Sequence, residues 1–199
     1  MPRKPRRGRT FRDELARLAA SERPLRGEAK LEAALAAFAV DVRGRVALDA
    51  GASTGGFTRT LLRHGARRVY AVDAGHGQLL GSLRQDPRVV NLERTNLGSV
   101  VVPEQIELVT LDLSYLPIAD AVPQLDRLDV RGDLIALVKP QFELRLAQPP
   151  DDPRPALEAA VAGIDAAGWR VRGTIESPVR GAHGSVEYFV SATRPGGAR

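Results

Sequence analysis

The 199-residue sequence contains no cysteine, which excludes disulfide bonds, thiolate metal sites and cysteine nucleophiles. It has no apolar run near the roughly 18 residues of a membrane-spanning helix, and its start shows no signal-peptide pattern. The three histidines lack the spacing of metal ligands, so no metal is predicted. The apolar fraction of 43% and the charged fraction of 27% are typical of globular domains. We therefore expect a soluble, cytoplasmic protein.

Lysine is also scarce, because the 29 basic residues include only Lys4, Lys30 and Lys139 and the others are arginines. An arginine guanidinium keeps its proton in a protein, whereas a lysine amine can lose it. A lysine retained in so arginine-rich a chain is therefore a candidate for acid–base chemistry. Chance retention is the alternative, since three residues are a small sample.

Positive charge is concentrated near the N-terminus. The net charge is +5, and positions 3–9 hold five basic residues and no acid. Such a block is attracted to phosphate and favours nucleic acid as a partner, with a solubilising tail as the alternative. We divide the chain into a basic arm with a short helix at Phe11–Ala20 (residues 1–25), one domain (26–193) and a frayed tail (194–199).

Short apolar segments alternate with helical segments along the domain. The predicted strands are Val46–Ala50, Val69–Asp73, Val89–Leu92, Leu108–Asp112, Leu134–Lys139, Val171–Glu176 and Val186–Ala192. The predicted helices are Lys30–Phe38, Gly56–His64, Gly77–Arg84, Ile118–Leu128 and Pro155–Ala167. This alternation indicates a Rossmann-like α/β fold with a doubly wound, mostly parallel sheet. The short link between the last two strands predicts that they pair antiparallel.

A glycine-rich turn containing Gly51, Ser53 and Gly55 follows the first strand. Glycines permit positive φ angles and let a ligand approach the backbone. Asp73 ends the next strand 22 residues after Gly51, the spacing of an acid that binds ribose hydroxyls in nucleotide-binding folds. Asp49, just before the glycines, can hold the amino group of a methionine moiety directly or through water. That arrangement favours S-adenosylmethionine over a pyrophosphate cofactor.

The same turn also matches G-x-S-x-G, the nucleophile elbow of serine hydrolases. In chain order, Ser53, Asp112 and His183 could form the catalytic triad of such an enzyme. Three observations count against this hypothesis. The turn follows the first strand, whereas the elbow strand of a hydrolase usually lies deeper in the chain, and no upstream glycine-rich segment offers an oxyanion hole. A hydrolase also does not require an acid at the spacing of Asp73. A glycine turn that binds nothing is the remaining alternative. We favour the cofactor site.

Charged residues lie at or just after the carboxyl ends of the predicted strands, where open α/β sheets bind ligands. Among them are Glu93, Asp112 and Lys139. A lysine held near Asp112 and partly removed from water can act as a base towards a hydroxyl, and Glu187 can join the pair. For any one of these residues an ordinary surface ion pair is the alternative.

Several of these segments together resemble the TlyA, or hemolysin A-like, branch of the FtsJ-type ribose methyltransferases. The most specific are Lys30–Leu35, Leu48–Thr58, Val69–Asp73, Gly77–Leu79, Glu93–Asn96, Asp112–Tyr115, Val138–Glu143 and Ser177–Gly181. The resemblance implies a class I methyltransferase fold, S-adenosylmethionine as the cofactor and ribose 2′-hydroxyls of ribosomal RNA as the substrate. Members usually begin with an S4-type RNA-binding module, which is not recognisable here, and their segment after Phe142 is usually longer.

The resemblance also implies roles for individual residues. A catalytic tetrad falls on Lys30, Asp112, Lys139 and Glu187, with Lys139 as the base that activates the 2′-hydroxyl. The implied cofactor residues are Gly51, Ser53 and Gly55 along the methionine part, Asp73 at the ribose, and Glu93 to Asn96 near the adenine. Two other hypotheses are an S-adenosylmethionine- and RNA-binding assembly factor without turnover, and a small-molecule O-methyltransferase. An intact tetrad favours an enzyme, and the basic arm favours RNA.

Overall fold

The structure is a computed structural model that describes residues 24–181 and 184–194. Residues 1–23 of the basic arm, which include the helix predicted at Phe11–Ala20, lie outside the described residues, as do His183 and most of the predicted tail. Within the described ranges no helix is long and apolar enough to cross a membrane. The cytoplasmic location stays a prediction.

Strands and helices alternate through the described part of the chain. The strands are β1 Val46–Ala50, β2 Arg68–Asp73, β3 Val89–Glu93, β4 Ile106–Leu111, β5 Val130–Val138, β6 Arg170–Glu176 and β7 Tyr188–Thr193. The α-helices are α1 Arg26–Ala37, α2 Gly56–Arg63, α3 Gly81–Arg84, α4 Ile118–Ala121, α5 Pro140–Glu143 and α6 Arg154–Ala166. Short 3-10 helices lie at Leu97–Ser99 and Val122–Arg127.

The strands form one sheet in the order β3-β2-β1-β4-β5-β7-β6. Strands β1 to β5 pair in parallel, and β7 runs antiparallel to both β5 and β6. The connections change direction between β1 and β4, so the carboxyl ends of these two strands form the switch point at which open α/β sheets bind ligands. The predicted fold class is confirmed, including the antiparallel strand near the C-terminal end.

Helices cover both faces of the sheet. Every residue of β1 is buried, with Leu48 in the core beneath α4 and α6 and Ala47 in the core beneath α1 and α2. A strand covered on both faces needs apolar residues in continuous runs rather than in alternation. This is why the central strands could be predicted from short apolar runs alone.

The helix predicted at Ile118–Leu128 is only partly correct. It forms one α-helical turn, α4, and then a 3-10 helix, Val122–Arg127. Pro123 has no N–H with which to continue the α-helical hydrogen bonds, so the helix type changes at this residue.

The helix predicted at Gly77–Arg84 is shorter than expected and is confined to α3. The backbone N–H groups of Gln78 and Leu79 donate to the carboxylate of Glu93, at 2.8 and 3.2 Å, instead of entering a helix. A side chain from the end of β3 therefore determines the conformation of this segment.

Candidate active site

Two clefts open at the carboxyl ends of the central strands. The first, of about 540 Å³, is lined by Lys30, Lys139 and their acidic partners, and we call it the lysine cleft. The second, of about 260 Å³, is lined by Asp73, and we call it the Asp73 cleft. The residues that line both are Gly51, Ser53, Asp112 and Ser114. The two clefts therefore meet at the glycine turn and at the end of β4.

The glycine turn between β1 and α2 has positive φ angles at Gly51 (87°), Ser53 (48°) and Gly55 (98°). A Cβ atom on Gly51 would overlap the backbone carbonyl oxygen of Asp112, so glycine is what lets the end of β4 approach the turn. A Cβ atom on Gly55 would overlap the side chain of Leu83. Gly55 lines neither cleft. Glycine is needed at this position, at the start of α2, so that the turn can pack against Leu83.

Asp49 is fully buried beneath the glycine turn and lines neither cleft. Its carboxylate accepts hydrogen bonds from the hydroxyls of Thr58, at 2.6 Å, and Thr110, at 2.9 Å. Burial raises the pKa of Asp49 to about 6, against the opposing effect of these two hydrogen bonds. In this conformation Asp49 ties β1, β4 and α2 together under the turn and does not reach a ligand directly.

Asp73 ends β2 and faces the second cleft. Its Oδ2 accepts the backbone N–H of Ser53 at 2.8 Å, and its Oδ1 accepts the backbone N–H of Gly75 at 2.7 Å. The carboxylate thus joins the glycine turn to the loop after β2 while remaining on the cleft wall. This is the strand-end position expected for a residue that binds ribose hydroxyls.

Glu93 and Asn96 lie beside the Asp73 cleft but do not line it; the neighbouring wall residues are Thr95 and Leu97. The carboxylate of Glu93 accepts a hydrogen bond from the side chain of Asn91 and two from the Gln78–Leu79 backbone. These bonds, the Asn91 bond first, lower the pKa of Glu93 to about 2. Glu93 therefore shapes the loop at the cleft rim, and Asn96 is exposed at the start of a 3-10 helix.

The Asp73 cleft has the chemistry of a nucleoside site. Its wall includes the apolar side chains of Val72, Leu97 and Leu113 together with the carboxylate of Asp73. Apolar walls accommodate a flat base, and a carboxylate at the strand end accepts hydrogen bonds from ribose hydroxyls. The residues present therefore fit a nucleoside cofactor such as S-adenosylmethionine.

Lys139 and Asp112 meet across the ends of β5 and β4. The Nζ atom of Lys139 lies 2.6 Å from Oδ1 of Asp112, as an ion pair without the angles of a hydrogen bond. The same Nζ donates a hydrogen bond to Oγ of Ser114 at 2.9 Å and lies 5.7 Å from the centre of the Phe142 ring. The side chains of Lys139 and Asp112 are 14% and 23% exposed, so the pair is largely removed from water.

The chain that follows Lys139 is held in place by α5, a single helical turn. Pro140 begins α5, and Glu143 at the end of α5 accepts the backbone N–H of Ile118 at 3.0 Å. Burial raises the pKa of Glu143 to about 7, and the charge of Asp120 adds to this effect. Glu143 thus ties α5 to the start of α4 and keeps the end of β5 in place.

Lys30 and Glu187 form the second ion pair of the lysine cleft. Their Nζ and Oε2 atoms are 2.5 Å apart, and their side chains are only 10% and 5% exposed. A Cβ atom on Gly181 would overlap the Glu187 carboxylate, so the loop before β7 packs directly on this pair. Arg26, at the start of α1, donates to the backbone carbonyl of Arg180 at 3.0 Å and holds that loop against α1.

The position of Lys30 depends on a close crossing of α1 and α2. Gly27 and Gly56 lie at this crossing, where a Cβ atom on Gly56 would be 3.0 Å from the Cα of Gly27. The carboxylate of Glu28 accepts the backbone N–H of Leu25 at 2.7 Å and pairs with Arg59 on α2. The start of α1, which lies earlier than the sequence predicts, is fixed by these contacts.

The structure thus brings Lys30, Asp112, Lys139 and Glu187 to one cleft as two ion pairs. Two residues that were not predicted from the sequence, Ser114 and Phe142, also contact Lys139. Their positions in the sequence could have indicated these contacts, since Ser114 follows Asp112 by two residues and Phe142 follows Lys139 by three.

The hydrolase hypothesis gains no support from the described residues. The hydroxyl of Ser53 lies 3.1 Å from the side-chain oxygen of Gln78, which is not a base, and Asp112 is paired with Lys139. His183, the third member of that hypothetical triad, lies outside the described residues. Across ranges 24–181 and 184–194 there is also no group of three or more side chains that could hold a metal ion.

The strand order and the paired clefts at the switch point define a class I methyltransferase fold. The solved S-adenosylmethionine-dependent methyltransferase of Mesorhizobium loti matches it with a TM-score of 0.62 at 17% identity, over 81% of this chain and 96% of that chain. At this identity the likeness shows the fold alone.

Residues 25–194 match the FtsJ-like methyltransferase family, and the chain belongs to that family. The 16S/23S rRNA (cytidine-2′-O)-methyltransferase TlyA of Mycobacterium tuberculosis is 46% identical over 177 residues, which are 83% of this chain. The chain spans 66% of the length of that relative. The solved structure of a candidate hemolysin from Lactococcus lactis has a TM-score of 0.80 at 35% identity, covering 86% of this chain and 88% of that one. The predicted resemblance to the TlyA branch is confirmed.

Proposed function

We propose that this chain is an S-adenosylmethionine-dependent methyltransferase that acts on ribose 2′-hydroxyls of RNA, with ribosomal RNA as the substrate. The observation that carries this proposal is the Lys139–Asp112 pair, which lies where the lysine cleft meets the Asp73 cleft. A base at that junction can reach an acceptor hydroxyl held in the lysine cleft, where that oxygen can face a nucleoside cofactor held in the Asp73 cleft. The family membership and the TlyA relative support the same reaction class.

In this proposal the Asp73 cleft holds the cofactor. Asp73 binds its ribose, Gly51 and Ser53 present backbone along its methionine part, and the apolar walls hold its base. Asp49, Gly55 and the Glu93–Asn96 segment support the walls of this cleft rather than the ligand itself. Bound S-adenosylmethionine supplies an electrophilic methyl group, whose transfer to oxygen leaves a neutral thioether.

The lysine cleft supplies the acid–base chemistry. Lys139, in its neutral form, accepts the proton of the 2′-hydroxyl as the ribose oxygen forms its bond to the methyl group. Asp112 stabilises the positive charge that develops on Lys139 during this transfer. Lys30, held by Glu187, is a second donor of the same cleft and orients the ribose oxygens. One proton moves to Lys139 for each methyl group transferred, so the charges balance.

Asp73→Ala tests the cofactor site. Loss of the carboxylate should weaken S-adenosylmethionine binding by about 1–3 kcal/mol, because the ribose hydroxyls lose a charged hydrogen-bond partner. Calorimetry measures this change. Asp152→Ala is the matched control, since Asp152 pairs with Arg154 on the surface away from both clefts and should bind the cofactor normally. Failure of the folded wild type to bind S-adenosylmethionine would overturn the proposal.

A methyl-transfer assay tests the acceptor. The wild type should transfer labelled methyl groups from S-adenosylmethionine to ribosomal subunits or to naked ribosomal RNA, and digestion should recover 2′-O-methylnucleosides. Two alternatives remain distinguishable here. Transfer to small hydroxylated molecules but not to RNA indicates a small-molecule O-methyltransferase, and cofactor and RNA binding without transfer indicates an assembly factor.

The basic arm should contribute to RNA affinity through phosphate contacts. The arm joins the domain at Pro24 and Leu25, which line the lysine cleft. Deleting residues 1–9 removes five basic groups. If each contacts a phosphate, the slope of log affinity against log salt concentration should flatten by about 3.5–4.5 units, at roughly 0.7–0.9 per contact. Filter binding over a salt series measures the slope, and an unchanged slope would identify the arm as a solubilising tail.

A further inference from the structure

Ser114 occupies the junction of the two clefts. It follows the end of β4, its side chain is exposed, and it lines both the lysine cleft and the Asp73 cleft. Its Oγ accepts a hydrogen bond from Nζ of Lys139 at 2.9 Å, and that is the one hydrogen bond of this hydroxyl among the described residues. The side chain therefore holds no backbone or helix end in place, and its contact is with the proposed base.

The two oxygens that approach Lys139 act on it differently. The Asp112 carboxylate lies close enough for strong attraction but at angles that do not form a hydrogen bond. At those angles the ion pair attracts the charge of the amine, but it constrains the direction of the N–H bonds less than a hydrogen bond does. The hydrogen bond to Ser114 is directional, so it determines the rotation of the amine about its Cε–Nζ bond.

The orientation of the amine matters because a base acts through one lone pair. A neutral lysine nitrogen has one bond to carbon, two N–H bonds and a single lone pair. When one N–H bond points to Ser114, the lone pair is restricted to two of the three staggered positions about the Cε–Nζ bond. We propose that Ser114 is a positioning residue that aims the lone pair of Lys139 at the acceptor hydroxyl. This inference rests on the proposed role of Lys139 as the base.

The experiment compares Ser114→Ala with Ser114→Thr in single-turnover methyl transfer to one RNA. Ser114→Ala should lower the rate by about tenfold to a hundredfold at saturating cofactor and RNA, the range for losing a hydrogen bond to a group that becomes charged as it accepts the proton. Its affinities for S-adenosylmethionine and for RNA should stay at the wild-type values, because the substitution affects a step after binding. Ser114→Thr retains the hydroxyl and should restore the rate to within about threefold of the wild type.

A double-mutant cycle distinguishes this positioning role from a merely structural one. When Lys139→Arg has removed the base, Ser114→Ala should cost less than about twofold further, because the two residues act as one unit. Additive losses in the double variant would overturn the inference. Thermal denaturation of Ser114→Ala should match that of the wild type, since the side chain is exposed.

Other results would give the hydroxyl of Ser114 a different role. Weaker S-adenosylmethionine binding by Ser114→Ala, with a normal rate at saturation, would make Ser114 a cofactor contact and overturn the inference. A wild-type rate for Ser114→Ala, or no rescue by Ser114→Thr, would also overturn it while the proposed function stands. A wild type that binds cofactor but transfers no methyl group to RNA would overturn the proposed function and this inference together.

Discussion

Lys139→Arg should lower single-turnover methyl transfer by about two to four orders of magnitude, the range for loss of a general base. The positive charge and most of the volume are retained, so the ion pair with Asp112 and the fold should survive. A guanidinium, however, cannot accept the proton of a 2′-hydroxyl. The measurement is the transfer rate on one RNA substrate, with calorimetry showing that S-adenosylmethionine still binds.

Two further substitutions make this result specific. Arg154→Lys exchanges the same two residue types at an exposed pair with Asp152 and should leave the rate unchanged. Lys30→Arg makes the same exchange within the cleft, where an arginine can still pair with Glu187, and should cost less than Lys139→Arg. A near wild-type rate for Lys139→Arg would show that Lys139 is not the base, although the fold and family assignments would stand.

Asp112→Asn should reduce the transfer rate by roughly a hundredfold or more, within the range for disrupted acid–base catalysis. The amide keeps the shape of the side chain, so the close packing of the Asp112 backbone against Gly51 should persist. What is lost is the negative charge 2.6 Å from Nζ of Lys139, which stabilises the charge that forms as the proton arrives.

The matched control for this variant is Asp129→Asn. Asp129 also pairs with a basic residue, Arg131, but both side chains are exposed and the pair lies outside the two clefts. Exposed ion pairs contribute little, so the control should fold and transfer methyl groups normally. Equal rates for Asp112→Asn and the wild type would remove Asp112 from the proposed chemistry.

The four charged residues of the lysine cleft form two pairs, and this arrangement is compatible with different proposed roles for its two largely buried lysines. Each amine has its own carboxylate within 2.6 Å, so neither lysine is left as an unpaired charge away from water. The Lys139 pair reaches the Asp73 cleft through Asp112, whereas the Lys30 pair lines only the lysine cleft. This asymmetry supports Lys139 as the base and Lys30 as the group that orients the acceptor.

Local sequence determined the fold class of this protein. Strands buried on both faces require continuous apolar runs, and the glycine turn requires residues that accept positive φ angles, so both features are visible without any tertiary contact. One error, in the segment Gly77–Arg84, came where a distant group competed for local hydrogen bonds. The amides of Gln78 and Leu79 donate to Glu93, about 15 residues away along the chain, and no local pattern shows that partner.

Sequence also placed the charged residues at the correct edge of the sheet, because parallel strands all end on one side. Only the tertiary structure decided which of them face a cleft. Asp49 turns inward to Thr58 and Thr110, whereas Asp73 stays on the wall of its cleft, although both lie at the carboxyl ends of neighbouring parallel strands.

The pairing of the lysines was likewise decided in three dimensions. The scarcity of lysine and the family resemblance indicated Lys30 and Lys139. The partner of Lys30, however, is Glu187, which lies 157 residues away along the chain. The close crossing of α1 and α2 holds Lys30 in position for this pair. Position along a strand specifies the end at which a residue lies. The direction and partner of its side chain depend on the neighbours that pack against it, which the chain brings together only when it folds.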